Sequence, residues 1–280
     1  MKEKRETEQQ KLVDSYFRST VPDWEEIYSQ QGVYATIYQE RRTAALALLE
    51  GLSLQSGSRI LEVGCGPGLT TVAMAARGHA VFAIDTVQAM ADRTREAAIN
   101  AKVADRVKVS VGDIHQLAFA DGTFHLAIVV GVTEWLDSLD QPFQELVRVL
   151  KPRGHLVVAS DNKWALYRML DPLFNPVLAP LKHVARELAL RTGARKPRPR
   201  LNAYSIPDFD SHLRRVGLVK MEGLTLGFGP CSFLGLKVLP EFIGLRLHRV
   251  LQRLANKGVP FIRSGGLVYL AAASKLASDR

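Results

Sequence analysis

Apolar residues along the chain recur with two different periods, and the alternation between them outlines a fold. Short apolar runs rich in β-branched residues at 59–63, 80–84, 106–111, 124–130 and 154–160 have the length of buried strands. Between them, 69–77, 87–100 and 140–150 read as helices. Strands that alternate with helices in this way build a parallel sheet covered on both faces, with right-handed crossovers. Ahead of the first strand, 11–50 predicts mostly amphipathic helix, interrupted early by Pro22, with aromatics from Tyr16 to Tyr38 and a last helical run from Thr43 to Leu54. After the fifth strand, Asp161 to Tyr204 is too long for a plain connection in a compact α/β domain, so it predicts an insertion with helical stretches near 164–170 and 177–190. Ser205 is the candidate N-cap of the next helix. Strand patterns at 218–226 and Leu267–Ala272 enclose an irregular block, 227–263, that holds an amphipathic helix from Leu239 to Leu254.

The first strand ends in Gly64-Cys-Gly66-Pro-Gly68 and a helix follows, which is the order strand, tight turn, helix. Glycines let the backbone approach a ligand closely, and the helix start aims unpaired N–H groups into the turn. Asp85 closes the second strand 19 residues after Gly66, the spacing at which nucleotide-binding sheets place the acid that takes the ribose hydroxyls. Leu69 stands where a G-x-G-x-x-G dinucleotide motif needs its third glycine, which disfavours a pyrophosphate. Gly112-Asp113-Ile114 follows the third strand on the same carboxyl edge, where Asp113 can accept from an exocyclic amine such as adenine's while Ile114 packs on the ring.

Taken together, Leu61 to Gly68, Asp85, Gly112-Asp113, the strand Phe124 to Val130 and Leu150-Lys-Pro-Arg-Gly-His-Leu156 resemble a class I S-adenosylmethionine-dependent methyltransferase over about residues 35–160. The resemblance implies an α/β fold with a seven-stranded, mostly parallel Rossmann-like sheet, helices on both faces and a helical insertion, the last strand pairing antiparallel with 218–226. It implies S-adenosyl-L-methionine as cofactor, with Glu62, Gly64, Gly66 and Gly68 lining its methionine part, Asp85 on the ribose, and Asp113 and Ile114 on the adenine. Met90 occupies a position that often touches the adenine, and Cys65, Thr86 and Val130 adjoin these positions and complete the expected cofactor set. The expected organisation is a helical lid over 1–50, a cofactor-binding core over 51–160, a basic helical insertion over 161–204 and a C-terminal part over 205–280 that carries the 227–263 helix.

Charge changes the picture in the second half. Residues 1–150 hold 15 Lys and Arg against 20 Asp and Glu, whereas residues 151–280 hold 22 against 8. Arg191 to Arg200 alone carries five positive charges and no negative one. Such a field attracts anionic partners. At 280 residues with 47% hydrophobic content, the chain can bury a core. No uncharged apolar stretch of about 18 residues predicts a membrane span. The charged N-terminus does not read as a secretory signal. Cys65 and Cys231 have no metal-ligand spacing, so no metal is expected and the setting reads as reducing and cytoplasmic.

The methyl acceptor is less legible. The fourth strand ends in Gly131-Val-Thr-Glu-Trp-Leu136, which lacks the Asn-Pro-Pro-Tyr-like tetrapeptide common in methyltransferases of nucleobase and glutamine amines. Glu134 and His115 are the candidate general bases, each with an ordinary structural alternative. Apolar and basic character together in 161–204 and 227–263 point to a small hydrophobic or lipid-like acceptor, with an anionic membrane surface as partner and a peripheral location at the membrane. Two other readings stand beside it: an RNA methyltransferase that uses 191–200 against phosphates, for which no base-stacking module is evident, and a partner protein that binds the cofactor without transferring methyl.

Overall fold

The computed structural model describes residues 8–20, 24, 26–28, 30–180, 182, 199–229, 231–234 and 236–277. The expected alternation appears as β1 (Arg59–Val63), β2 (Ala80–Asp85), β3 (Val107–Val111), β4 (Phe124–Val129) and β5 (Leu150–Asp161), paired in parallel. Next come β6 (Leu218–Leu226), a separate hairpin of β7 (Ser232–Phe233) and β8 (Leu236–Lys237), and β9 (Val268–Lys275). β9 lies antiparallel between β5 and β6, which gives one seven-stranded sheet in the order β3-β2-β1-β4-β5-β9-β6.

Alternate strand residues feed two cores, as the pleat requires. Ile60, Leu126, Ile128 and Val157 pack with α2 (Val33–Gly51), α3 (Leu69–Ala76) and α4 (Gln88–Asn100). Leu61, Ala127, Val129 and Val158 face the other way, onto Phe143 and Leu146 of α5 (Asp140–Val149) and Phe209 and Leu213 of α7 (Ile206–Arg215). α7 starts as expected, with Ser205 accepting from the Asp208 N–H at 3.2 Å. The remaining helices are α1 (Glu8–Ser19), the five-residue α6 (Leu166–Leu170) and α8 (Glu241–Asn256).

Several boundaries depart from the expectations for local reasons. β5 starts at Leu150, not 154, because a register shift opposite Phe124 and Leu126 keeps Lys-Pro-Arg-Gly within the strand, with Arg153 at φ 62°. The run expected over Thr43–Leu54 is the second half of one 19-residue helix that ends at Gly51, since nothing from Val33 to Glu50 breaks it. Pro240 sets the start of α8 two residues later than expected. In the insertion, α6 and a 3-10 turn at Pro176–Leu178 are present, while 181 and 183–198, and with them most of the 177–190 helix and of the 191–200 basic run, lie outside the described residues. The base of the insertion is closed by an Asn162–Tyr204 bridge, and Asn162 Nδ2 donates to Ser264 O and Gly266 O at 2.8 and 2.9 Å.

The glycine turn is locked to the helix layer at Gly68. This residue sits at φ 85°, and a Cβ there would lie 2.8 Å from Thr94 Cα, the backbone of α4. Gly68→Ala should therefore lower unfolding free energy in urea by about 2–4 kcal/mol, from left-handed strain and overpacking together; a loss under about 1 kcal/mol would show that the α3–α4 contact yields easily.

Candidate functional site

The carboxyl ends of the parallel strands open into a cavity of ≈ 850 Å³. At one end lies the glycine turn. Glu62, last but one in β1, is buried and accepts a hydrogen bond from Thr71 Oγ1 of α3. Burial pushes its carboxyl up to about 8, with Thr71 offsetting part of the shift. Asp85, at the end of β2, accepts from Gly66 N–H at 3.0 Å and from Val87 N–H at 2.9 Å, so one carboxylate ties the turn to the start of α4. Burial raises its pKa as well, against those two hydrogen bonds. Thr86 Oγ1 donates to Asp14 of α1 at 2.9 Å. Met90 is buried beneath the aromatic pair Phe17 and Trp24.

The residues present fit the cofactor implied by the resemblance. A Cβ built at Gly66 meets nothing within 4 Å, so the turn leaves room for a ligand beside bare backbone. A buried carboxyl such as Glu62, with a hydroxyl partner, is a suitable receptor for a cationic group. Glu62, Gly64, Cys65, Gly66, Asp85, Thr86, Met90, Asp113, Ile114 and Val130 all line the cavity. Gly68 does not; its role is the α3–α4 approach described above. His115 does not either: its backbone N–H and its Nδ1 both pair with Asp113 Oδ1, at 2.8 and 2.7 Å, which spends the imidazole within its own turn. His115 therefore stands outside the cavity, in a local turn with Asp113.

The opposite end is built from charge and aromatic rings. Glu134, in a 3-10 turn after β4 (Thr133–Trp135), is buried with its Oε1 3.6 Å from Arg41 Nη1. Burial and the nearby Asp161 push it up to about 7, with Arg41 opposing. Asp161, at the end of β5, pairs with Arg168 of α6. Tyr34, Tyr38 and Arg41 occupy successive turns on one face of α2. Tyr34 and Tyr38 share a hydrogen bond at 2.9 Å, and the Arg41 guanidinium lies 4.4 Å from the Tyr38 ring centroid. α1 closes one side: Tyr16 stacks on Trp135 at 5.5 Å, and Gln9 exchanges two hydrogen bonds with the Arg200 backbone.

Sequence reasoning found Glu134 here and missed Arg41, Asp161 and Arg168. Asp161 carried the same signal as Asp85, an acid at the carboxyl end of a parallel strand. Arg41 was readable only in register with Tyr34 and Tyr38, seven and three residues earlier on the same helix.

Residues 61–158 match the methyltransferase-domain family. Malonyl-[acyl-carrier protein] O-methyltransferase of Erwinia pyrifoliae is 32% identical over 126 residues, 45% of this chain and 46% of that protein. The solved [4+2]-cyclase SpnF superposes with a TM-score of 0.62 at 17% identity, covering 97% of both chains. Geranyl diphosphate C-methyltransferase of Streptomyces coelicolor, solved with geranyl diphosphate and S-adenosyl-L-homocysteine, superposes with a TM-score of 0.57 at 19% identity, over 87% of this chain and 82% of that one. The chain spans between 24% and 47% of the length of the curated relatives it matches.

The elevated Glu62 carboxyl has a consequence for stability. Its folded-state pKa near 8 lies above the ordinary carboxylate value, so its contribution is complete at acid pH and is lost as pH rises toward about 8. In cofactor-free protein, the unfolding free energy of wild type relative to Glu62→Gln should fall on the order of 2–4 kcal/mol between pH 5 and pH 8. A difference that stays flat with pH would refute the buried-carboxyl account.

Proposed function

We propose that this chain, a class I S-adenosylmethionine-dependent methyltransferase by its domain at residues 61–158, methylates a small apolar, lipid-like acceptor. The observation that carries the reading is one continuous cavity, with the glycine turn and Asp85 at one end and an aromatic and charged wall at the other. When bound, S-adenosylmethionine supplies a methyl group carried on a sulfonium. We assign Glu62 and the backbone of Gly64 to Gly66 to its methionine end, Asp85 and Thr86 to the ribose, and Asp113, Ile114 and Met90 to the adenine, with Cys65 and Val130 packed alongside.

The acceptor's apolar body lies against Trp24, Tyr34, Tyr38 and Tyr167, with α1 as a lid over it. Glu134 faces its reacting atom and takes the proton that atom gives up, a task suited to a carboxyl whose charge changes near pH 7. Arg41 holds the Glu134 carboxylate in place before it takes that proton and is itself kept in place by the Tyr38 ring. Asp161 and Arg168 position this pair by balancing its charge. The rest of the rate comes from holding the two reactants in line in a cavity that excludes water.

The acceptor class is supported by geranyl diphosphate, the isoprenoid named for one structural neighbour, and by the aromatic wall. The basic run at 191–200, on which an RNA reading would rest, is described only at its last two residues. A neighbour of the same fold is named a cyclase, so the deciding experiment must read methyl transfer itself. Label from S-[methyl-³H]adenosylmethionine should enter a lipid-soluble product of a membrane extract, and label found only in RNA would overturn the acceptor class. Asp85→Ala should abolish cofactor binding by calorimetry with folding retained; unaltered affinity would sink the ribose assignment. For Glu134, wild-type turnover should rise with pH through about 7. Glu134→Gln should lower turnover by roughly 10²-fold or more with cofactor affinity unaltered, and an equal rate would return Glu134 to a structural role.

A further inference from the structure

We infer that the outer face of α8, with the β7–β8 hairpin beside it, is a docking surface for an anionic lipid bilayer, placed at the mouth of the acceptor cavity. The inference rests on the apolar-acceptor reading and names where that acceptor comes from.

α8 is held to the protein by one side only. Gly244, His248 and Ala255 are buried. His248 Nδ1 accepts from Phe228 N–H at 3.1 Å, so Nε2 is the nitrogen that donates to Glu40 of α2, at 3.0 Å. At 100° per residue the opposite side collects Phe242, Arg246, Val250, Arg253 and Lys257, with Ile243 and Leu247 at its edge; all are exposed, Phe242 to 71%. Residues 232–263 hold six Lys and Arg and a single acid, Glu241, which is occupied by Lys237 and by the Val33 N–H. Large apolar side chains interleaved with arginine along one helix face, without acids, match the chemistry of the headgroup boundary: the rings and aliphatics enter the acyl region and the guanidiniums meet phosphates. No helix among the described residues is long and apolar enough to cross a membrane, so the contact is one of lying on the surface.

The surface continues to the cavity through named contacts. Lys237 of β8 bonds Glu241 at the start of α8, and Leu236, exposed to 73%, is its neighbour. Asp171, just after α6, accepts from Leu234 N–H at 3.1 Å and from Ser232 Oγ at 3.2 Å, which fixes the hairpin against the 171–178 segment. Leu173 and Phe174 of that segment are themselves exposed and line the cavity. On the other side, Glu241 bonds Val33, one residue before Tyr34 of the cavity wall. An apolar molecule leaving the bilayer at this face meets the cavity rim without crossing open water. Charge complementarity favours an anionic bilayer over a second copy of the chain, because six like charges on this stretch would face six more across a twofold interface.

The test is co-sedimentation of the whole protein with vesicles of phosphatidylcholine alone and of phosphatidylcholine mixed with phosphatidylglycerol. We expect binding to the mixed vesicles, weakened at least about tenfold by Phe242→Ser and by the pair Arg246→Glu and Arg253→Glu, with thermal melting and S-adenosylmethionine affinity as in wild type. Protein that never pellets with the anionic vesicles overturns the inference. So does pelleting that both variants leave unaltered, which would place the contact elsewhere, and so does a concentration-dependent dimer that Phe242→Ser dissolves in the absence of vesicle binding. Vesicle binding through α8 by a protein that transfers no methyl label supports the docking surface and refutes the enzymatic reading, whereas label transfer to an apolar acceptor without vesicle binding does the reverse.

Discussion

A carboxylate removed from water must find compensation, and this molecule places four of them at one edge of its sheet. Glu62, Asp85, Glu134 and Asp161 close β1, β2, the turn after β4, and β5. They are answered in three ways: a hydroxyl for Glu62, two backbone N–H groups for Asp85, and guanidiniums for Glu134 and Asp161. Parallel strands buried between two helix layers leave only their ends accessible, so polar chemistry collects there. The way each acid is satisfied then divides the cavity. Where backbone and hydroxyl do the work, cationic capacity remains for a ligand; where arginines do it, the charge is already balanced and the surroundings can be apolar.

The division explains which parts were legible beforehand. Strands β1, β2 and β4 follow directly from continuous apolar runs, because burial between two helix layers leaves little freedom in composition. The glycine-turn end of the cavity was readable because it is local: Glu62, Gly64, Gly66 and Asp85 lie within 24 residues. The charged and aromatic end is assembled from α2, the β4 turn, β5 and α6, so Arg41 and Glu134 meet across more than 90 residues of chain. No local pattern encodes that meeting. His115 stands outside the cavity for a reason that is itself local. Its neighbour two residues earlier, Asp113, captures it, a side-chain turn that competes with any longer-range role.

The β5 bulge shows the same contest between pattern and context. Lys-Pro-Arg-Gly reads as a turn by composition, yet Lys151 to Gly154 stay within the strand since the register shifts against β4. The 227–263 block hid a hairpin for the converse reason: two-residue strands are too short for any periodicity to register. Both features lie away from the glycine turn, the bulge inside the matched domain at 61–158 and the hairpin outside it.

Helix α2 belongs to both halves of the molecule's surface. Its residues 34, 38 and 41 form a wall of the cavity, while Glu40 reaches His248 and the Val33 N–H reaches Glu241, both on α8. A helix with unbroken hydrogen bonding transmits displacement along its length as a rod does. This wall of the cavity is therefore tied to α8 as well as to the sheet. Glu40, which bonds the buried His248 of α8, is the residue before Arg41, so the ion pair with Glu134 is one residue removed from a contact with the helix whose other side faces solvent.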